Sequence, residues 1–269
     1  MHGFAEDAGD HSGPYMSKKG LTILGQAEIS REDAAFLGAK PEISTQQFLR
    51  AVIEDEREEV AKMIVHDDRL VKSRNAAGTS ALLIAVYHGL DEMAAVLRRS
   101  EVELDLPEAV AVGDLERSVA LLDRSPELLA KPAQDGFTPL VLAAWLARVE
   151  VLEELLRRGA DQAQAALNPT AMTPLHGAAS SYDQSSGLHA ARLLLDAGAP
   201  LEAIEAGGYT PLHLAASHGA RALVELLLDR GADAGALSDT DKSALELAAE
   251  RGYNDIVKLL ERHAASSLA

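Results

Sequence analysis

The side chains of this 269-residue sequence best suited to chemistry are nine histidines and 42 carboxylates; there is no cysteine. Without thiols, disulfide frameworks, thiolate metal sites and cysteine nucleophiles are excluded. Histidine is then the natural metal ligand or general base. His176 and His213 occupy matching places in TPLHGAA (173–179) and TPLHLAA (210–216). If those segments are neighbouring helices, their backbones stand about 8–10 Å apart, and both side chains would have to reorient to share an ion. The run EDEREE at 54–59 is the acidic candidate for a cation, but it spans a helix–helix turn and fits a solvated face better. GLTILGQ at 20–26 is one glycine short of a phosphate cradle and lacks its Lys-Ser or Lys-Thr. No HExxH, GxGxxG after a strand, or GxSxG occurs. The expectation is no catalytic residue, no cofactor, no metal, and structural roles for the two histidines.

The elements that hold those histidines are clearer than any chemistry. In GYTPLHLAASHG (208–219), Thr210 can cap the free amides of a first turn, Pro211 suits the first helical position, and Gly219 suits the left-handed residue that ends a helix. Ala215 and Ala216 bury little area themselves, so they imply a second backbone close by. The segment recurs as TPLHGAA (173–179), TPLVLAA (138–144), SALELAA (243–249) and SALLIAV (80–86). Starts at 138, 173, 210 and 243 are 35, 37 and 33 residues apart, and each interval holds a second amphipathic segment: VEVLEELLRRGAD (149–161), AARLLLDAGAP (190–200) and RALVELLLDRGAD (221–233). The unit is helix, turn, helix, extended connector. One such pair cannot bury its apolar side alone, but stacked copies can.

Composition bounds the function. Apolar residues make up 47% and aromatics 4%, so the core is built from Leu, Ala and Val. The net charge of −17 has the wrong sign for releasing counterions from phosphates or for adhering to anionic lipid, so neither nucleic acid nor membrane is an expected partner. It favours solubility and, secondarily, the steering of basic partners. No stretch has the length of a membrane span and the N-terminus has no signal-peptide pattern, which predicts a cytoplasmic protein unless a non-classical route exports it.

The Thr-Pro-Leu-His-x-Ala segments at 173–178 and 210–215, the Gly-Ala-Asp at 159–161 and 231–233, and the period of about 33 residues resemble the ankyrin repeat over about residues 44–269. The resemblance implies an all-α ankyrin-repeat solenoid of stacked antiparallel helix pairs with β-hairpin-like fingers, about seven repeats counting degenerate caps. The expected division is an N-terminal extension at 1–43 that can serve as a cap, degenerate repeats 1–2 at 44–106, and repeats 3–7 at 107–269. Residues 30–38 could form a turn or two of helix. From Ser80 to Thr138 is 58 residues, eight short of two periods, so the pair opening at 107 is expected to lack a full finger, with an offset near Ser100–Pro107. SSYDQSSG (180–187) is expected to lengthen the turn inside one pair, and 161–172 to lengthen one finger by two residues.

In the family's geometry the concave side is made by the fingers and by the outward positions of each first helix, and the conserved histidine bonds the neighbouring finger. Carried onto this chain, the candidate partner-binding residues are Tyr87, His88, Phe137, Trp145, Leu146, Met172, Tyr209, His218 and Arg251, with Tyr182 in the insertion. They form a stripe centred on Trp145, and replacing Trp145, Phe137 and Tyr209 by Ala is expected to abolish binding while leaving helical content intact. The family implies a non-catalytic, monomeric scaffold that binds a protein partner, with the acidic field favouring a basic one. Alternatives are a stoichiometric regulator or inhibitor of a partner enzyme, the docking part of a larger machine, and, from a different class, an enzyme or metal-dependent activity.

Overall fold

The computed structural model describes residues 43–99 and 103–266. The extension up to residue 42, including the expected turn at 30–38, lies outside the described residues, as do 100–102 of the Ser100–Pro107 junction. Thr45–Ala269 forms a compact unit of its own. Among the described residues it contains fourteen α-helices and no strand beyond an isolated antiparallel bridge between Arg74 and Ser80. The helices form seven pairs: α1 (Thr45–Ile53) with α2 (Arg57–His66), α3 (Ala81–Tyr87) with α4 (Asp91–Arg98), α5 (Leu106–Val112) with α6 (Leu115–Arg124), α7 (Pro139–Trp145) with α8 (Val149–Arg157), α9 (Pro174–Ala179) with α10 (Gln184–Asp196), α11 (Pro211–Ser217) with α12 (Arg221–Asp229), and α13 (Ala244–Glu250) with α14 (Asn254–Ser266). Partners touch across turns of two to four residues, which makes them antiparallel. Each first helix packs on the first helix of the next pair, from α1 through α13.

Capping explains why such short helices form where they do. Ser80 Oγ accepts from the Leu83 amide at 3.3 Å, and Thr138 Oγ1 from that of Val141 at 3.3 Å. Asp105 with Glu108, and Ser243 with Glu246, close reciprocal capping boxes. In α9 and α11 a histidine stands where those boxes have Glu. His176 Nδ1 accepts from the Thr173 amide (3.4 Å) and hydroxyl (2.7 Å), and Nε2 donates to the Tyr209 carbonyl at 3.0 Å, in the next connector. His213 repeats this with Thr210 and the Lys242 carbonyl at 3.1 Å. Both arrangements require a neutral ring with its proton on Nε2.

Small residues set the spacing between pairs. Ala143, Ala144, Ala178, Ala179, Ala215 and Ala216 are buried along the facing first helices. At Gly177 even a methyl group would crowd α7, 3.1 Å from the Trp145 amide nitrogen and the Val141 oxygen. Between pairs the chain turns back in fingers closed by backbone bonds, Asn75 to Thr79, Ala133 to Phe137, Ala166 to Met172, Glu205 to Tyr209 and Ser238 to Lys242. The third spans seven residues against five in the others, as the sequence implied. Consecutive fingers are stitched together: Leu167 donates to Gly136 (2.7 Å), Ala206 to Thr170 (2.9 Å) and Asp239 to Gly207 (2.9 Å).

One expectation is corrected. The residues 180–187 add most of their length to the second helix rather than to the turn: α10 has 13 residues against nine in α8 and α12. Asp183 caps it, accepting from the Ser185 and Ser186 amides at 3.1 Å and from both hydroxyls at 2.8 and 2.7 Å, which holds its carboxyl at about 2. Gly187 lets the extra turn cross α9, where a Cβ would sit 2.9 Å from the Ala178 oxygen. Four polar residues with a strong cap make helix, not loop.

Burial of His176 lowers its pKa to about 4, whereas in the unfolded chain it takes up a proton near its ordinary value of about 6.5. The unfolded state therefore binds more protons between those values, so this contribution to stability is complete above about pH 6.5 and disappears as the pH falls towards 4. Each pH unit in that window is expected to cost roughly 1.4 kcal/mol at this site. Urea unfolding at pH 7, 6 and 5 measures the slope, and His176→Gln should flatten it.

Candidate partner-binding face

Seven residues after its cap, each first helix presents a side chain near its last turn: Tyr87, Val112, Trp145, Ser180, Ser217 and Glu250 from α3 to α13. Two are aromatic, and although α5 lies between α3 and α7, their rings meet. The Tyr87 and Trp145 centroids are 5.1 Å apart, Phe137 stacks on Trp145 at 5.6 Å and 27°, and it meets Tyr87 edge-on at 6.0 Å and 76°. Two features of the sequence allow this. The intervening α5 contributes only Ala109, Val110, Ala111 and Val112 to its last turn. Its connector, 99–105, has seven residues, whereas 67–80 and 125–138 have fourteen each. The finger at 133–137 therefore lies directly against the finger at 75–79, with Gln134 filling the space over Gly78. Tyr87 Oη donates to Asp135 Oδ2 at 3.1 Å and ties that finger to α3. Burial, with the Asp135 charge, pushes the Tyr87 phenol well above its ordinary range.

The sequence-selected residues divide into three groups. Tyr87, Phe137 and Trp145 converge, but as a packed cluster whose rim alone is open: Trp145 is 8% exposed. Met172 is not on the open side at all. It is 2% exposed, because the longer finger folds it inward against Val141, Ala166 and Phe137. The rest are accessible. His88, Tyr182 and Arg251 are exposed, and Leu146, Tyr209 and His218 are half-buried at the ends of α7, the fourth finger and α11. Tyr209 leans edge-on to the His213 ring at 6.0 Å and covers Gly207. His218 Nδ1 donates to the Leu214 carbonyl at 2.9 Å, and burial lowers its pKa. Its own carbonyl accepts from Gln184 of the α10 extension at 3.1 Å. Ser180 and Ser217 are buried, their hydroxyls donating to the His176 and Leu214 carbonyls of their own helices at 2.9 and 3.0 Å.

Asp135 escaped the sequence reading; its only sign was an Asp-Gly turn before Phe137. Two cavities of about 270 and 240 Å³ beside α5 share Arg74 and Asp105. Arg74 bonds both Asp105 (2.9 Å) and the Gly78 carbonyl (3.0 Å), while burial and the Asp105 charge raise the pKa of Glu108 beside them. No group of three or more metal-binding side chains occurs among the described residues. Both nitrogens of His176 and His213 are engaged by protein groups. The face offers aromatic edges beside the buried hydroxyls of Ser180 and Ser217.

Comparison with known proteins matches these helix pairs to a described family. The family described as ankyrin repeats (3 copies) matches residues 162–237 and 187–267, and the single ankyrin repeat matches 135–166. No curated protein matches the chain.

Because Trp145 is packed between two rings and against the next helix, Trp145→Ala is expected to act on the fold first. The loss is about 3–5 kcal/mol, the cost of an unfilled aromatic site. Urea denaturation followed by circular dichroism measures it.

Proposed function

As this chain is an ankyrin-repeat protein, a kind that generally mediates protein–protein interaction, we propose that it is a non-catalytic scaffold whose partner binds the finger and first-helix side. The observation that carries this reading is the Tyr87–Phe137–Trp145 cluster, a rigid aromatic rim. Large aromatic side chains held without entropic cost are the usual anchors of an interface. Around it, His88, Leu146, Tyr209, His218 and Arg251 supply the accessible contacts, and Tyr182 extends them onto the inserted turn. Met172 supports the finger from beneath. The partner is basic, steered by the −17 charge. We place the chain in the cytoplasm as a monomer. A stoichiometric regulator or inhibitor uses the same face and differs only in what the partner does.

The reading predicts that side chains at the ends of α7 and α11 matter although they hold little of the core. Affinity capture with the full chain should yield a partner that Leu146→Glu with His218→Glu loses by at least about 30-fold, the scale of a hot spot. Circular dichroism of that variant should be unchanged. A partner retained at full strength by a folded double variant would remove this face from the interaction.

A further inference from the structure

The charge balance reverses at one place in this acidic chain. Around the two cavities beside α5 stand four bases, Lys72, Arg74, Arg98 and Lys131, against three acids, Glu103, Asp105 and Glu108. The whole chain has 25 bases and 42 acids. All three acids are engaged. Glu103 accepts from Arg117 at 3.4 Å, Asp105 from Arg74 at 2.9 Å, and Glu108 from the Asp105 amide at 3.1 Å. Among the bases Arg74 has its acidic partner, but Lys72, Arg98 and Lys131 join no ion pair among the described residues. The uncompensated charge here is therefore positive. At physiological salt, exposed charges more than about 8 Å away are largely screened. For a small ion that reaches the cavities, these bases outweigh the net −17.

The second cavity, of about 240 Å³, adds apolar walls to that charge. Buried Leu106 and half-buried Pro107, Leu121, Leu128 and Pro132 line it beside Arg74 and Lys131. They come from α5, α6, the 3₁₀ turn Pro126–Ala130 and the chain entering the 133–137 finger. Leucine and proline side chains left half-open beside an unpaired ammonium group suit an apolar body that carries a negative charge. Size restricts the occupant further. At about 30 Å³ per water the cavity has the room of roughly eight waters. That is below the volume of drug-sized sites and matches a molecule of about ten heavy atoms.

We propose that this cavity binds a small organic carboxylate with a compact apolar body. The body rests on Leu121 and Leu128, and the carboxylate pairs with Lys131. Charge complementarity and volume together select this occupant. None of the lining residues belongs to the aromatic rim, so the ligand and a protein partner use different side chains.

The test titrates the full chain with phenylacetate, and separately with phenylacetamide, which has nearly the same shape and no charge. Isothermal calorimetry and saturation-transfer NMR of the ligand follow both. Phenylacetate should bind in the millimolar range, at least about tenfold more tightly than the amide. Lys131→Glu should abolish that advantage and Lys131→Arg should keep it. Leu128→Trp, by filling the cavity, should block phenylacetate. Lys258→Glu changes the net charge equally on α14 and should leave affinity unaltered. Circular dichroism compares each variant with the unaltered chain. Absence of saturable phenylacetate binding, equal affinity for the amide, or full affinity in Lys131→Glu or in a folded Leu128→Trp variant would each overturn the assignment. So would an equal loss in Lys258→Glu, which would make the effect one of overall field. Displacement of phenylacetate by an equal concentration of inorganic phosphate would overturn it too, because the site would then read charge without an apolar body.

Discussion

The structure depends on how closely one first helix can approach the next. At Gly177 there is no room for a single added carbon against α7, and the facing positions on neighbouring helices are alanine. Close approach gives each helix pair the buried area it lacks alone. It also brings each histidine within reach of the following connector, so His176 and His213 can bond the Tyr209 and Lys242 carbonyls. Those bonds need neutral rings, and burial supplies neutrality by making the charged form expensive. Packing and hydrogen bonding are thus one constraint. A larger residue at Gly177 would push α9 away from α7.

Where the repeat is regular, that constraint was legible in the sequence. Thr, Pro, small residues and a terminal glycine mark each short helix, and the seven-residue finger followed from a two-residue excess between copies. Three features were not legible, for identifiable reasons. Counting residues located the excess at 180–187, but could not tell that Asp183 would cap it into helix. Finger position alone put Met172 outside, whereas the extra two residues redirect its side chain into the gap beside Val141. Convergence of Tyr87 and Trp145 depends on what α5 leaves out, a bulky last turn and a finger. Absence has no residue of its own to be read, although the short interval from Ser80 to Thr138 marked the place.

The aromatic cluster follows from that omission. In a regular array, side chains at equivalent positions two pairs apart are separated by a full repeat. Here α5 is low and its connector short, so the finger at 133–137 reaches back to α3 and Asp135 accepts from Tyr87. An irregular repeat therefore has a structural consequence that a regular one could not have: it assembles three rings from segments 58 residues apart. Degeneracy in the first half of the chain is architectural, not merely drift.

Net charge also acquires a location. On the second helices, carboxylates are matched across repeats, Arg57 with Glu92, Asp123 with Arg158, Asp196 with Arg230 and Arg221 with Asp255. Such exposed pairs add little stability individually, but they cancel the field on that side. In the last three connectors the exposed Asp161, Glu202, Asp233, Asp239 and Asp241 join no such pair among the described residues, while Arg158, Arg230 and Lys242 pair with acids elsewhere. A total of −17 is therefore not spread evenly, and the sequence total alone could not distinguish a uniformly solubilising coat from a directed acidic edge. The structure distinguishes them because Asp161 and Asp233 hold the same place after Gly-Ala in two connectors, and with Glu202, Asp239 and Asp241 they are exposed and outside any ion pair among the described residues.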